Sequence, residues 1–237
     1  MKKRMQLLVS LLLIISILSG CMYPQENLAQ NKIPYEDQIK MVQTAVNSYK
    51  EANGGLLPIK TKDETTPIYQ KYPIDFKKLV PQYLAEPPGN AFESGGIFQY
   101  VLIDAETEPI VKIFDLRMAE TIRDIKLRIK TQKYPPYKEQ LAANVFTLDF
   151  KKLGYKDDPV ALSPYSGRNL SFIITGEAEV YVDYTGDLHE AIQKQDVKYN
   201  EGDDIRGILV DDSSFVPAYS LPYTIDEKTR NPIFLEK

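Results

Sequence analysis

The pentapeptide Asp75-Phe76-Lys77-Lys78-Leu79 recurs unchanged as Asp149-Phe150-Lys151-Lys152-Leu153, 74 residues further on. Its context recurs with it. Each copy follows an amphipathic helical pattern and a proline-containing segment, Leu57-Pro58-Ile59 in one case and Tyr134-Pro135-Pro136 in the other. After each comes a Pro/Gly turn region (Pro87-Pro88-Gly89; Pro164-Tyr165-Ser166-Gly167), then a β-rich run (Ile97–Leu102; Leu170–Ile174) and a second strand (Ile110–Phe114; Glu179–Asp183). An Asp-Leu pair, Asp115-Leu116 and Asp187-Leu188, then opens the next helix, with Asp a favoured N-cap. Self-similarity of this kind favours supersecondary units packed in series over a single α+β domain in which the pentapeptide recurs by chance. The predicted fold class is α+β: repeated helix–loop–antiparallel hairpin modules, each helix packed on a small antiparallel sheet. The units are expected at 35–115 and 116–187, with 188–237 a degenerate third unit or a C-terminal extension. A lone unit of about 72–80 residues buries too little surface to be secure, so neighbours should pack on each other.

The helices follow from periodicity. Ile39, Val42, Val46 and Tyr49 form one apolar stripe between about Tyr35 and Asn53, and Gly54-Gly55 stops it. Met118, Ile122, Ile125 and Ile129 do the same between about Leu116 and Lys130, with Arg and Lys on the other face. A shorter helix is expected from Leu188, with Ala191 and Ile192. The recurrent pairs Phe76/Leu79 and Phe150/Leu153 read as core anchors whose intervening lysines point outward.

The N-terminus is of another kind. Lys2, Lys3 and Arg4 precede an apolar run, Met5–Leu18, too short for the roughly 20 residues that cross a bilayer. Basic flank and short apolar run are the pattern of a secretory signal. The run ends in Leu18-Ser19-Gly20-Cys21, which resembles the lipobox of bacterial lipoprotein precursors. That resemblance implies signal-peptidase recognition of Leu18, Ser19 and Gly20, a diacylglyceryl group on the Cys21 thiol, and cleavage just before Cys21, so that 1–20 is a lipoprotein signal peptide. Cys21 is the sole cysteine, which excludes an intramolecular disulfide and a Cys-based zinc site. Residues 21–34 are polar and read as a tether whose reach, extended, is on the order of 40 Å.

Removing 1–20 takes three positive charges from a chain formally at −4, leaving −7. An acidic mature domain argues against nucleic acid and against anionic headgroups as partners, and assigns membrane attachment to acyl chains.

Two wider resemblances carry hints about fold and kind. The order helix, Gly-Gly, Pro-rich loop, Phe-x-x-Leu, Pro/Gly turn and hairpin over about 35–115 resembles the globular part of type IV pilins and pseudopilins, without their cleavage site or long hydrophobic helix. The precursor's size, lipobox and Lys-rich character resemble the membrane lipoproteins of Bacillus-type bacteria, the YphF-like group. That resemblance implies no activity.

Residues suited to chemistry are sparse. His189 is the single histidine and reads as an ordinary helix residue, since the sequence shows around it none of the partner arrangement that a Ser-His-Asp triad or a His-based metal site requires. No GxGxxG, P-loop, HExxH or GxSxG is present. Asp203 and Asp204, with Asp211 and Asp212 nearby, offer hard oxygen donors for Ca²⁺ but lack EF-hand spacing; a solvated acidic loop is the expected reading, with no metal and no cofactor. The same holds for the run Asp183–Asp187, read as a turn plus N-cap. Tyr134, Tyr137, Tyr165, Tyr184, Tyr199, Tyr219 and Tyr223 lie in Pro-rich or polar segments, where they serve either a ligand surface or loop packing.

The expected function is therefore that of a lipid-anchored lipoprotein of the cell membrane facing the extracytoplasmic side. It is not an enzyme, and its modules engage an envelope protein or a cell-wall component. The alternatives are a solute-binding lipoprotein of an ABC transporter, which a ligand would stabilise, and a hydrolase built on two converging carboxylates.

Overall fold

The computed structural model describes residues 35–194 and 199–235; the expected signal peptide, lipobox and tether lie outside them. The protein is α+β, with helices packed on small antiparallel sheets. Helix α1 (Tyr35–Ala52) buries Gln38, Ile39, Val42, Ala45 and Val46. It ends as its glycines require: Gly54 and Gly55 take φ of 62° and 90°, and the Gly55 N–H donates to Lys50 O at 2.9 Å. One turn, α2 (Phe76–Leu79), follows with Asp75 as N-cap, its carboxylate accepting from the Lys77 N–H at 3.3 Å. Strands β1 (Phe98–Ile103) and β2 (Ile110–Asp115) pair antiparallel, and single bridges, Pro73↔Val101 and Ile59↔Ile74, extend the sheet beyond β1.

Helix α3 (Arg117–Gln132) buries Met118, Ile122, Ile125 and Ile129, the stripe the periodicity predicts. Then come β3 (Tyr137–Ala142), β4 (Val145–Leu148), the two-residue strands β5 (Ala161–Leu162) and β6 (Asn169–Leu170), β7 (Phe172–Thr175) and β8 (Val180–Val182). They form a sheet of order β3-β4-β7-β8 with β5-β6 as a separate pair.

The two halves share local geometry in detail. The Asp75 N–H donates to Pro58 O at 2.7 Å, and the Asp149 N–H donates to Pro136 O at 2.9 Å. Phe76 and Leu79 are buried in one half and Phe150 and Leu153 in the other. Pro73 faces Val101 as Thr147 faces Ile173, and Val101 faces Lys112 as Ile173 faces Tyr181.

Helix α4 (Thr185–Lys194) departs from the sequence reading. It begins at Thr185 rather than Leu188, and Asp187 sits inside it, 3% exposed, instead of capping it. The capping contact falls to Asp183, whose carboxylate accepts from the Thr185 N–H at 2.9 Å, as Asp115 accepts from Arg117 N–H at 2.8 Å before α3. The Asp187 carboxylate instead accepts the Ser163 and Ser166 hydroxyls at 2.7 and 2.6 Å, holding the β5–β6 loop against α4.

The C-terminal stretch contains a 3₁₀ turn (Ile205–Leu209) and the antiparallel pair β9 (Tyr223–Ile225) and β10 (Pro232–Phe234). Between them residues 213–220 run alongside both halves, with parallel bridges Ile113↔Phe215 to β2 and Val182↔Ser220 to β8. Lys112, on β2, donates its ammonium to Val210 O at 2.9 Å and to Ser213 O at 2.5 Å. Burial lowers the pKa of this ammonium, against the opposing pull of Asp211, Asp104 and Asp212. Phe215 enters the core of the first half, while Val210, Val216 and Ala218 pack with Val101 and Phe114 on the opposite face of β1–β2. This stretch therefore acts as a strap joining the halves. No described helix is long and apolar enough to cross a membrane.

Candidate functional site

A cleft of about 750 Å³ opens where the end of β3, the start of α4 and the C-terminal pair β9–β10 meet. Leu141 and Ala142 come from β3, Asp183 and Thr185 from the β8–α4 junction, Glu201 and Gly202 from the loop before the 3₁₀ turn, and Thr224 and Pro232–Leu235 from β9–β10. Its volume falls in the range of ligand sites, roughly 300–1,000 Å³.

Local rules build the walls. Gly202 has a φ of 95°, open to glycine, and its N–H donates to the Thr224 hydroxyl at 2.7 Å, which pins the loop to β9. Asp183 Oδ1 accepts from the Thr185 N–H, the Thr185 hydroxyl and, at 2.9 Å, the Tyr223 hydroxyl. Tyr223 is fully buried, and burial, reinforced by the Asp183 charge, pushes its phenol well above the ordinary value. An oxygen held by three donors braces the junction and is poorly placed for acid–base work.

Two of the lining strands are paired on one side only among the described residues: β3 with β4, and β10 with β9. Both bring exposed apolar side chains, Leu141 (41%) and Ile233 (39%). The charged lining residues, Asp183 and Glu201, are both acidic. The cleft thus combines apolar walls, negative charge and strands with unpaired edges.

The structure separates the acidic candidates. Asp204 caps the 3₁₀ turn and pairs with Arg206 at 2.6 Å. The Arg206 guanidinium also lies over the Tyr69 ring at 5.1 Å and donates to Ser220 O at 3.2 Å. Asp203 accepts from the Asn200 N–H at 3.0 Å. Asp211 and Asp212 lie beyond the turn, near enough to Lys112 to act on its charge. Among the described residues no group of three or more His, Cys, Asp or Glu could hold a metal ion. His189 lies on α4 with its ring nitrogen 2.8 Å from the Gln193 amide. Cys21, Leu18, Ser19 and Gly20 lie outside the described residues. The tyrosines divide: Tyr184 and Tyr223 are core residues, whereas Tyr134 and Tyr137 are exposed.

Sequence reasoning missed Leu141 and Ile233. Leu141 belongs to a strand with no clean polar–apolar alternation, and Ile233 follows a proline, so neither carried a strand signal.

Residues 35–115, from the first residue of α1 to the last of β2, match the family model described as the YphF family N-terminal domain. The match supports a YphF-like family for this segment, 81 of the 237 residues. No curated protein and no solved structure matches the chain.

Proposed function

We propose that the protein is a lipid-anchored, extracytoplasmic envelope lipoprotein, built of two related units, that binds a partner without catalysing a reaction. The observation that carries the binding reading is the cleft between β3 and β10. Strands with one free edge take up an extended segment by main-chain hydrogen bonding, and flanking apolar side chains set its register. The acidic lining favours a neutral or cationic segment of an envelope protein over an anionic wall polymer.

A photo-crosslinking side chain at Leu141 in the full chain, produced in cells, tests this. A discrete crosslinked protein species, lost on Ile233→Arg, is expected. Crosslinking at Leu141 no more specific than at exposed Leu56 refutes it. The anchor is tested separately: Cys21→Ala should abolish lipid labelling and the cleavage that depends on it. An unchanged product would remove the anchor.

The cleft volume also favours a second reading, a solute-binding lipoprotein. A small ligand at a hundredfold excess over its Kd would stabilise the fold by about 2.7 kcal/mol. A screen of sugars, peptides and metals by thermal shift separates the two, since a strand-adding partner leaves small solutes without effect.

A further inference from the structure

The exposed face of α3 carries a feature that the overall acidity of the chain conceals. Arg123, Leu127 and Lys130 recur at i, i+4 and i+7, and Lys133 and Tyr134 continue the line just past the last turn. Leu127 and Tyr134 are each 61% exposed, among the most exposed large apolar side chains described. The cations of the helix divide into two sets. Arg117 is held by Asp115, Lys126 by Glu179, and Arg128 by Asp124, with its guanidinium over the Tyr155 ring. Among the described residues Arg123, Lys130 and Lys133 have no such partner. The acid on this face, Glu120, lies one turn toward the N-terminus, so positive charge gathers around Leu127 and Tyr134.

We propose that this face docks on an anionic bilayer surface, with Leu127 and Tyr134 entering the interfacial region and Arg123, Lys130 and Lys133 meeting lipid phosphates. The proposal rests on the envelope-anchor reading for its setting. A soluble polyanion would satisfy the cations but leave both apolar side chains in water; a bilayer interface accommodates both. Tyrosine suits that boundary, being apolar in body and polar at its tip. The tether permits the contact: a reach on the order of 40 Å around a body with a radius of gyration of about 16 Å lets any face turn to the membrane. The acyl chains would then set residence on the membrane, and α3 would set orientation.

The test uses the intact lipoprotein carrying Leu127→Cys, labelled there with an environment-sensitive fluorophore. It is reconstituted in vesicles of phosphatidylcholine alone or with about 30% phosphatidylglycerol, enough to create a negative surface potential. Leu56→Cys, also at an exposed position, is the control. Expected are blue-shifted emission and contact with a bilayer-embedded quencher at position 127 in the anionic vesicles only. At about fivefold per cation, the triple variant Arg123→Gln/Lys130→Gln/Lys133→Gln should lower the docked-to-free ratio on the order of a hundredfold. High salt should act in the same direction. Solvent-like emission at 127 in both vesicles overturns the proposal. So does an equal shift in neutral vesicles, or the same shift without vesicles, which would mean that a second copy covers the face. If the protein is not lipidated, the label is read after mixing with the same vesicles; the anchor reading then fails while docking stands or falls on the emission.

Discussion

Raising the pH should unfold this protein through its tyrosines. Tyr100, Tyr184 and Tyr223 are fully buried, and the Tyr165 hydroxyl is sealed from solvent without a hydrogen-bond partner among the described residues. Burial pushes all four phenols well above the ordinary value of 10.0, with Asp187 adding repulsion at Tyr184 and Asp183 at Tyr223. Burial also takes Tyr69 and Tyr219 up to about 12. Above about pH 10 the unfolded chain loses these protons while the folded protein keeps them, so the folded state binds more protons and stability falls as pH rises. Each such phenol contributes about 1.4 kcal/mol per pH unit, and four together give on the order of 5–6. A fold stable by about 5–15 kcal/mol would thus reach its midpoint between about pH 11 and 13. Lys112 acts in the opposite sense: its lowered pKa makes the folded state shed a proton first, a gain that ends at the ordinary value of 10.5. With 16 Tyr and no Trp, near-ultraviolet tyrosinate absorbance reports the event directly. A cooperative rise in tyrosinate should coincide with loss of far-ultraviolet circular dichroism. A gradual rise across the whole range with circular dichroism intact refutes the reasoning.

Lys112→Met keeps the aliphatic stem but removes two charge-assisted hydrogen bonds to the strap; a loss of about 2–4 kcal/mol is expected in urea unfolding, since each such bond is worth ~1.5–3 and some desolvation is relieved. Gly96→Ala would place a Cβ 2.1 Å from the Asn90 carbonyl carbon and should lower the melting temperature sharply, whereas Gly186→Ala meets nothing within 4 Å, lies in α4, and should be neutral or stabilising by up to ~1 kcal/mol. Asp187→Ala leaves the Ser163 and Ser166 hydroxyls without their acceptor and should cost about 2–3 kcal/mol, with faster amide exchange confined first to the β5–β6 loop.

Much of the fold was legible because it rests on local pattern. The α1 and α3 stripes are buried where a 3.6-residue period puts them, and each Phe-x-x-Leu pair is in a core. The hairpins follow β-branched and aromatic runs with turns between them. What stayed hidden depends on long-range contact. Strand β3 (Tyr137–Ala142) is exposed along nearly its whole length, and its register against β4 is irregular, so no alternation announced it. Asp187 looked like a cap because it precedes an apolar residue, but the capping carboxylate is Asp183, and the burial of Asp187 is decided by Ser163 and Ser166, more than 20 residues away. The cleft was out of reach for the same reason, its walls coming from β3, α4, β9 and β10. Net charge is a different matter, since it averages over the surface and says nothing of how the cations of α3 are distributed.

The strap changes what the two halves can do separately. Each half has its own core, yet both sheets present an edge strand, β2 and β8, to the same stretch of main chain. An uncovered edge is a template for pairing with another chain. The strap covers each with a bridge of its own, and Lys112 and Arg206 fix it through the carbonyls of Val210, Ser213 and Ser220. Both cations are nearly buried, so detaching the strap would strip them of carbonyl partners and expose Phe215, Val216 and Ala218 together. Opening at the strap is therefore cooperative with loss of the contact between halves. The same C-terminal stretch continues into β9 and β10, which form a wall of the cleft. An event that loosens the strap would disturb that wall, so the integrity of the cleft depends on the same few contacts that join the halves.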